Sequence, residues 1–166
     1  MANELLRLEH IRKDFFGVTV LDDISFAIEK GKVYSLLGEN GAGKSTLSKI
    51  IAGEYEPSSG EIIIGEKHYQ KLTIHEAKLN GIQMVQQELQ VVPSLSVAEN
   101  IFVGSELKRG CFVRKEEQIV QAQGLLDQIG LNVSATTLLH SIDIAGRQLV
   151  EIARSINTDA DLIILD

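Results

Sequence analysis

Residues 38–46 read Gly-Glu-Asn-Gly-Ala-Gly-Lys-Ser-Thr, a complete G-x-x-x-x-G-K-[ST] pattern carried by Gly38, Gly43, Lys44 and Ser45, with Gly41 inside it. The pattern needs a strand before it and a helix after it. Val33-Tyr34-Ser35-Leu36-Leu37 precedes it as an apolar run that reads as a buried strand. Thr46 to Ala52 follows as an amphipathic helix, with Leu47, Ile50 and Ile51 on one face and Gly53 as its stop. Such a loop makes an anion site from main chain alone. Glycines let successive N–H groups point inward, and the helix start adds partial positive charge. The expected site is therefore Gly38, Glu39, Asn40, Gly41, Ala42, Gly43, Lys44, Ser45 and Thr46 around a nucleoside triphosphate. Lys44 would reach the β- and γ-phosphates, and the Ser45 hydroxyl would take one position on Mg²⁺.

Composition sets the outer limits. The 166 residues are 44% apolar, enough for one domain with a core, and the formal net charge is −7. That acidity disfavours a broad nucleic-acid footprint, which would need a basic face. A single cysteine, Cys111, excludes an intrachain disulfide, so a cytosolic location is the default and the thiol reads as a neutral loop or core residue. The N-terminus, MANELLRLEHIRKDF, is charged throughout and has no signal-like apolar region. No uncharged apolar stretch approaches the ~20 residues that span a bilayer, so any membrane role would run through a partner.

Apolar spacing predicts strands over 4–8 and 18–28, a turn at Glu29-Lys30-Gly31, a second turn at 57–60, and a short strand over 61–64. A short helix over 73–79 follows, with Thr73 as its N-cap, then a strand over 82–85. Beyond residue 87 the period becomes helical, over 96–103, 115–129 and 145–157, with loops at 104–114 and 130–143. In the middle helix Ile119, Val120, Ala122, Leu125, Leu126 and Ile129 fall along one side, and Gly130 ends it. The chain closes on Leu162-Ile163-Ile164-Leu165-Asp166, an apolar strand ending in an acid. The organisation is a sheet-rich phosphate-loop core over 1–87, a helical insert over 88–157 and a returning strand over 158–166. An acid at the end of such a strand is what a phosphate-loop enzyme uses to orient magnesium, the Walker B position, although many strands end in Asp as a plain turn residue.

These blocks, in this order, resemble the nucleotide-binding subunit of ABC transporters, and within it the branch that imports ribose and related monosaccharides. The resemblance is carried by GENGAGKSTL, by Gln86-Gln87-Glu88-Leu89 with the later Ser94-Leu95-Ser96-Val97-Ala98-Glu99-Asn100-Ile101, and by Gln148-Leu149-Val150-Glu151-Ile152-Ala153-Arg154. It spans about residues 5–166. It implies an α/β P-loop NTPase core of the ABC type, with an antiparallel β subdomain and an inserted α-helical subdomain, incomplete at the C-terminal end. It implies ATP and Mg²⁺ as cofactors, with Ser45, Gln87 and Asp166 on the metal, and Lys44 and Gln87 as the catalytic groups within the chain. Phe16, before Gly17, matches the aromatic that stacks on adenine; the same ring would serve core packing equally well. Gln87 matches the glutamine that reaches Mg²⁺ and the attacking water and moves with the helical subdomain, although its position also suits a plain loop residue. Partners implied are permease subunits, facing residues 88–105, and a second nucleotide-binding domain, with a substrate-binding protein engaged indirectly. The implied location is cytoplasmic, peripheral at the inner face of the membrane.

Two departures from the family pattern qualify this. Where members read Leu-Ser-Gly-Gly-Gln or close to it, this chain reads Ile142-Asp143-Ile144-Ala145-Gly146. Asp143 caps a helix well but would set a carboxylate against a phosphate. The sequence also stops at Asp166, before the family's general-base glutamate and switch histidine, and His10, His68, His75 and His140 read as surface or loop residues. Residues 1–166 are therefore expected to bind nucleotide poorly and to hydrolyse it negligibly. The alternative is a non-catalytic remnant that binds nucleotide or a transporter subunit at most. A soluble relative acting on ribosomes is disfavoured by the acidic charge, and a GTPase by the lack of an Asn-Lys-x-Asp motif.

Overall fold

The computed structural model describes residues 3–86 and 90–166. They form two compact units, one of Met1–Met84 with Asp161–Ile164 and Asp166, the other of Val85–Ala160 with Leu165.

The first unit begins with two long strands, β1 (Glu4–Phe15) and β2 (Val18–Glu29). They pair antiparallel through a two-residue turn, Phe15 opposite Val18. Phe16 and Gly17 both take positive φ, 50° and 84°, the geometry of a primed hairpin turn. Helix α1 (Lys44–Ile51) follows, then β3 (Ser59–Ile64), β4 (Lys67–Tyr69), α2 (Ile74–Leu79) and β5 (Ile82–Val85). The sheet order is β2-β1-β3-β4, antiparallel throughout. Its register slips between Leu8 and Ile11, where His10 and the facing Asp23 are both left-handed and their side chains meet at 2.6 Å. The slip keeps Leu6, Leu8 and Ile11 all facing inward, buried with Ile50, Ile51 and Ile62. Thr73 caps α2 as expected, in a reciprocal box with Glu76.

The second unit carries α3 (Val97–Phe102), a small hairpin of β6 (Lys108–Arg109) and β7 (Phe112–Val113), α4 (Lys115–Gln128) and α5 (Ile144–Asn157). Val97, Ile101, Phe102, Ala122, Leu126, Val150 and Ala153 form its core. Ser96 and Glu99 make a second capping box, and the Ser96 backbone N–H on the Glu99 carboxylate holds that acid below the usual range. Buried Asn100 accepts from Val92 N at 2.8 Å and donates to the carbonyls of Val92 and Ser96, so the block 94–101 is a cap followed by an amide pin. The chain then returns to the first unit as β8 (Leu162–Leu165), which pairs with β5.

Four expectations change. The first strand runs to Phe15 rather than ending at residue 8, because the hairpin with β2 continues to its tip. Residues 33–37 are not a strand: Val33 is 97% and Leu37 92% exposed. A continuous apolar run signals burial on both faces, but a strand also needs a neighbouring ladder, and none of the described strands pairs with this segment. In α4, Val120 points to solvent at 71% exposure while Gln118 is buried in its place, so the apolar side is narrower than the sequence suggests. Part of the 104–114 loop folds into the β6–β7 hairpin, with exposed Cys111 beside its turn glycine, Gly110.

Candidate nucleotide site

The loop between residue 37 and α1 is shaped by its glycines. Gly41 and Gly43 are left-handed, with φ of 84° and 87°. Gly43 is also the N-cap of α1, with no side chain capping it. A Cβ there would stand 2.7 Å from Leu21 Cδ2 and 3.0 Å from Val20 O, so only glycine lets the helix start against β2. The first helix amide to find a carbonyl is that of Leu47, on Gly43 O at 2.9 Å. Helix geometry leaves the amides of Lys44, Ser45 and Thr46 directed out of the helix end, where partial positive charge collects.

That end opens into a cleft of about 380 Å³ lined by Val20, Asn40, Gly41, Gly43, Lys44, Ser45 and Thr46. Its far end of α1 is fixed by burial of Leu47, Ile50 and Ile51, each apolar side chain contributing about 1.5–3 kcal/mol. The Lys44 ammonium donates to Gly38 O and Glu39 O, both at 2.8 Å, and so lies folded over the loop it would serve. Ala42 N closes a turn on Glu39 O at 3.1 Å. Gly38, Glu39 and Ala42 thus build the loop without lining the cleft.

At the mouth, Ser45 Oγ donates to Asp166 Oδ1 at 2.8 Å, bringing together two residues far apart in sequence. A hydroxyl and a carboxylate are hard oxygen donors. Mg²⁺ takes one or two such protein ligands and completes its shell with phosphate and water, so this pair fits it. No group of three or more acidic, His or Cys side chains is present among the described residues to suggest a metal cage.

Phe16 does not line the cleft. It stands at the hairpin tip, fully exposed and left-handed at φ 50°, a conformation that strains a bulky residue by about 1–2 kcal/mol. Core packing is therefore excluded for this ring. Phe15 packs instead, edge-on to Tyr55 at 5.5 Å. Gln87 lies outside the described residues. Asp143 is the N-cap of α5, its carboxylate accepting from Gly146 N at 2.8 Å. His10, His68, His75 and His140 are all exposed. Val20 is the cleft residue that the loop motif could not reveal. Its signal is its place on β2 next to Leu21, which Gly43 must touch.

An α/β unit with a glycine loop opening a helix and a strand-end acid beside the loop serine defines the phosphate-loop class of nucleotide-binding domain. The comparisons narrow the class. A family profile described as "ABC transporter" matches residues 21–166. Over 165 residues the chain is 41% identical to the "Ribose import ATP-binding protein RbsA 2" of Escherichia coli O157:H7, covering 99% of this chain and 33% of that protein. It is 42% identical to the protein of the same name from Streptomyces coelicolor, covering 99% and 32%. The chain therefore spans about a third of the length of the curated relatives it matches. Among solved structures, a nucleotide-free ATP-binding cassette from an ABC transporter superposes with a TM-score of 0.82 at 28% identity, covering 98% of this chain and 68% of that one. A cassette in its ADP conformation gives the same score and identity over 96% and 67%. The chain belongs to the ABC transporter family. No described helix is long and apolar enough to cross a membrane.

Proposed function

We propose that this chain is the ATP-binding part of an ABC importer for ribose or a related sugar, and that the cleft beside α1 holds the triphosphate. The observation that carries this is the juxtaposition of a glycine-shaped helix start, Lys44 and the Ser45–Asp166 pair around one cleft. The names of the relatives supply the sugar-import setting. In this reading the amides of Lys44, Ser45 and Thr46 receive phosphate oxygens, and Lys44 leaves the two loop carbonyls for the phosphates. Ser45 and Asp166 are the residues that would hold Mg²⁺, which supplies charge neutralisation on the phosphates when bound. Phe16 offers its exposed face to the base, and Gln87 its amide to the metal. Permease subunits, a second nucleotide-binding domain and a binding protein are the partners, at the cytoplasmic face of the membrane.

Among the described residues, none in the cleft is placed as a general base for water: Lys44 is a cation, and Ser45 and Asp166 bind each other. Turnover by residues 1–166 is therefore expected to be negligible, whereas ATP binding is expected and is measurable by nuclear magnetic resonance titration at millimolar nucleotide. Lys44→Ala should weaken that binding roughly 10- to 100-fold, the value of a charge-assisted hydrogen bond of about 1.5–3 kcal/mol. The half-buried lysine bonds only loop carbonyls, so the fold should be unaffected. Unchanged affinity in Lys44→Ala would reject the cleft as the triphosphate site.

Asp143 shapes the second part of the proposal. It stands where the family places a serine that donates to a nucleotide on the partner domain, and here its carboxylate caps α5 by accepting from Gly146 N. A like charge against a γ-phosphate weakens that composite site. Asp143→Ser keeps the cap, since serine serves as well there. In an assembled transporter it is expected to raise ATP hydrolysis, and an unchanged rate would refute the assignment.

A further inference from the structure

The tip of the β1–β2 hairpin runs past the sheet that supports it. β3 follows β1 as far as the pair Arg12–Ser59, and residues 13–18 continue beyond that point. Phe16 at the tip combines full exposure with a left-handed backbone, and strain of this kind persists only where the surroundings hold it in place. One guanidinium does much of the holding. Arg12 Nε and Nη2 fork onto the two carboxylate oxygens of Asp14 at 3.0 and 3.1 Å. Its Nη1 donates to Asp22 Oδ1 at 2.8 Å, and Nη2 also to Thr19 Oγ1 at 2.8 Å. The Thr19 hydroxyl donates in turn to Asp14 Oδ1 at 2.6 Å. Arg12 and Asp14 belong to β1, Thr19 and Asp22 to β2, so the network ties the two strands together just below the tip. Hydrogen bonds from Arg12 and then Thr19 hold the Asp14 carboxyl below the usual carboxylate range, so the fork stays charged at neutral pH. A second tie reaches α1. Asp14 N donates to Ser58 Oγ at 3.0 Å and Lys13 Nζ to Glu56 O at 2.6 Å, while Tyr55 N is bonded to Lys49 O of α1 at 3.2 Å. Val20, next to Thr19 on β2, lines the cleft. Successive strand side chains point to opposite faces, so β2 turns one residue to the cleft and the next to Arg12.

Exposed ion pairs add little to global stability. A planar fork shared among three acceptors instead fixes geometry, and a lysine, with the same charge, cannot reproduce it. We propose that Arg12 is a positioning residue: through Asp14, Thr19 and Asp22 it holds the hairpin tip in place relative to the start of α1, so that Phe16 meets the base of a nucleotide whose phosphates occupy the cleft. This rests on the proposed roles of the cleft and of Phe16. Arg12 acts on affinity only through the ring, and its effect disappears when the ring is removed.

The test uses the 166-residue chain as wild type, Arg12→Lys, Phe16→Ala and the double variant, each titrated with ATP and with inorganic tripolyphosphate by nuclear magnetic resonance. Phe16→Ala is expected to weaken ATP binding about 5- to 150-fold, the worth of one base on an aromatic face. Arg12→Lys is expected to weaken it at least about 3-fold when Phe16 is present and less than about 1.5-fold when Phe16 is already gone. Tripolyphosphate has no base and should bind all four forms within about 2-fold of one another. In Arg12→Lys the backbone order parameter at Gly17 should fall from about 0.85 toward about 0.6, with Leu6 and Ile62 unchanged. A residue that only supported the fold would lower the urea midpoint and weaken both anions alike. Should Arg12→Lys not fold, Thr19→Val, at an exposed side chain, must show the same dependence on Phe16. The positioning role is overturned if Arg12→Lys costs the same with and without Phe16, or if tripolyphosphate affinity falls with that for ATP. It is also overturned if Phe16→Ala leaves ATP affinity unchanged, a result that leaves the cleft standing. A wild-type chain that binds neither anion would reject the nucleotide reading itself, and the positioning role with it.

Discussion

Gly43→Ala is expected to destabilise the first unit by about 3 kcal/mol and to weaken ATP binding on the order of 10- to 100-fold. The stability loss has two sources. An alanine held at φ 87° carries about 1–2 kcal/mol of left-handed strain. Its Cβ would also meet Leu21 Cδ2 at 2.7 Å and Val20 O at 3.0 Å, and overpacking of this kind costs about 1–3 kcal/mol. The leucine tip can give a little, but the strand carbonyl cannot, so α1 must back away from β2. Binding suffers because Gly43 is the N-cap: a shift there re-aims the amides of Lys44, Ser45 and Thr46 together. Misdirecting one or two charge-assisted bonds of about 1.5–3 kcal/mol each accounts for the loss in affinity. Gly41→Ala is the control. It has a similar φ, 84°, but a Cβ there meets nothing within 4 Å. Only the strain of about 1–2 kcal/mol remains. Urea midpoints of the two variants separate the contact from the conformation. Equal losses in both would mean that the approach of Gly43 to β2 does not matter.

The contrast between these glycines shows what could be read from the sequence and what could not. The motif announces a tight loop because glycine spacing is a local property. It cannot say which glycine is pressed against which strand, since Val20 and Leu21 reach Gly43 only through tertiary packing. The same division runs through the rest. Thr73 and Asp143 were legible as caps because a cap bonds an amide two or three residues on. The insert helices were legible from period alone. Residues 33–37 misled because apolar composition reports a preference for burial and carries no information about a pairing neighbour. Val120 misled because a helical face was counted from hydrophobicity while Gln118 took the inner position. Glu151 and Arg154 stand in a block that carries the resemblance, but their bonds to Gln90 cross more than sixty residues of chain and could not be read from it. Asp166 was legible by position, as an acid closing an apolar strand, yet its bond to Ser45 across 121 residues needed the fold.

The same reasoning makes Gly53→Ala a strongly damaging small substitution away from the cleft. Gly53 follows the C-cap of α1 at φ 79°. An added Cβ would lie 2.5 Å from Thr73 C, 2.6 Å from Thr73 O and 2.7 Å from Ile74 N. These are main-chain atoms, so no rotamer change relieves the clash. The helix end or Thr73 has to move, and Thr73 is the N-cap of α2, with its hydroxyl on Glu76 N at 3.2 Å and its amide on Glu76 Oε2 at 2.9 Å. Left-handed strain of about 1–2 kcal/mol, a main-chain displacement of about 1–3 and a damaged cap of about 1 add to roughly 4 kcal/mol. Against a total stability on the order of 5–15 kcal/mol, that is a large fraction. The urea midpoint should fall sharply with the slope unchanged. Gly65→Ala, at φ 61° in open space, should lose only the strain. Thr73→Ala alone should lose about 1 kcal/mol. Because Gly53→Ala already disturbs the cap, the double variant with Thr73→Ala should be less destabilised than the sum of the two. Strict additivity would mean that the helix end yields rather than Thr73. The damage would then pass along α1 to Lys44, and the Gly53→Ala chain would lose ATP affinity as well as stability.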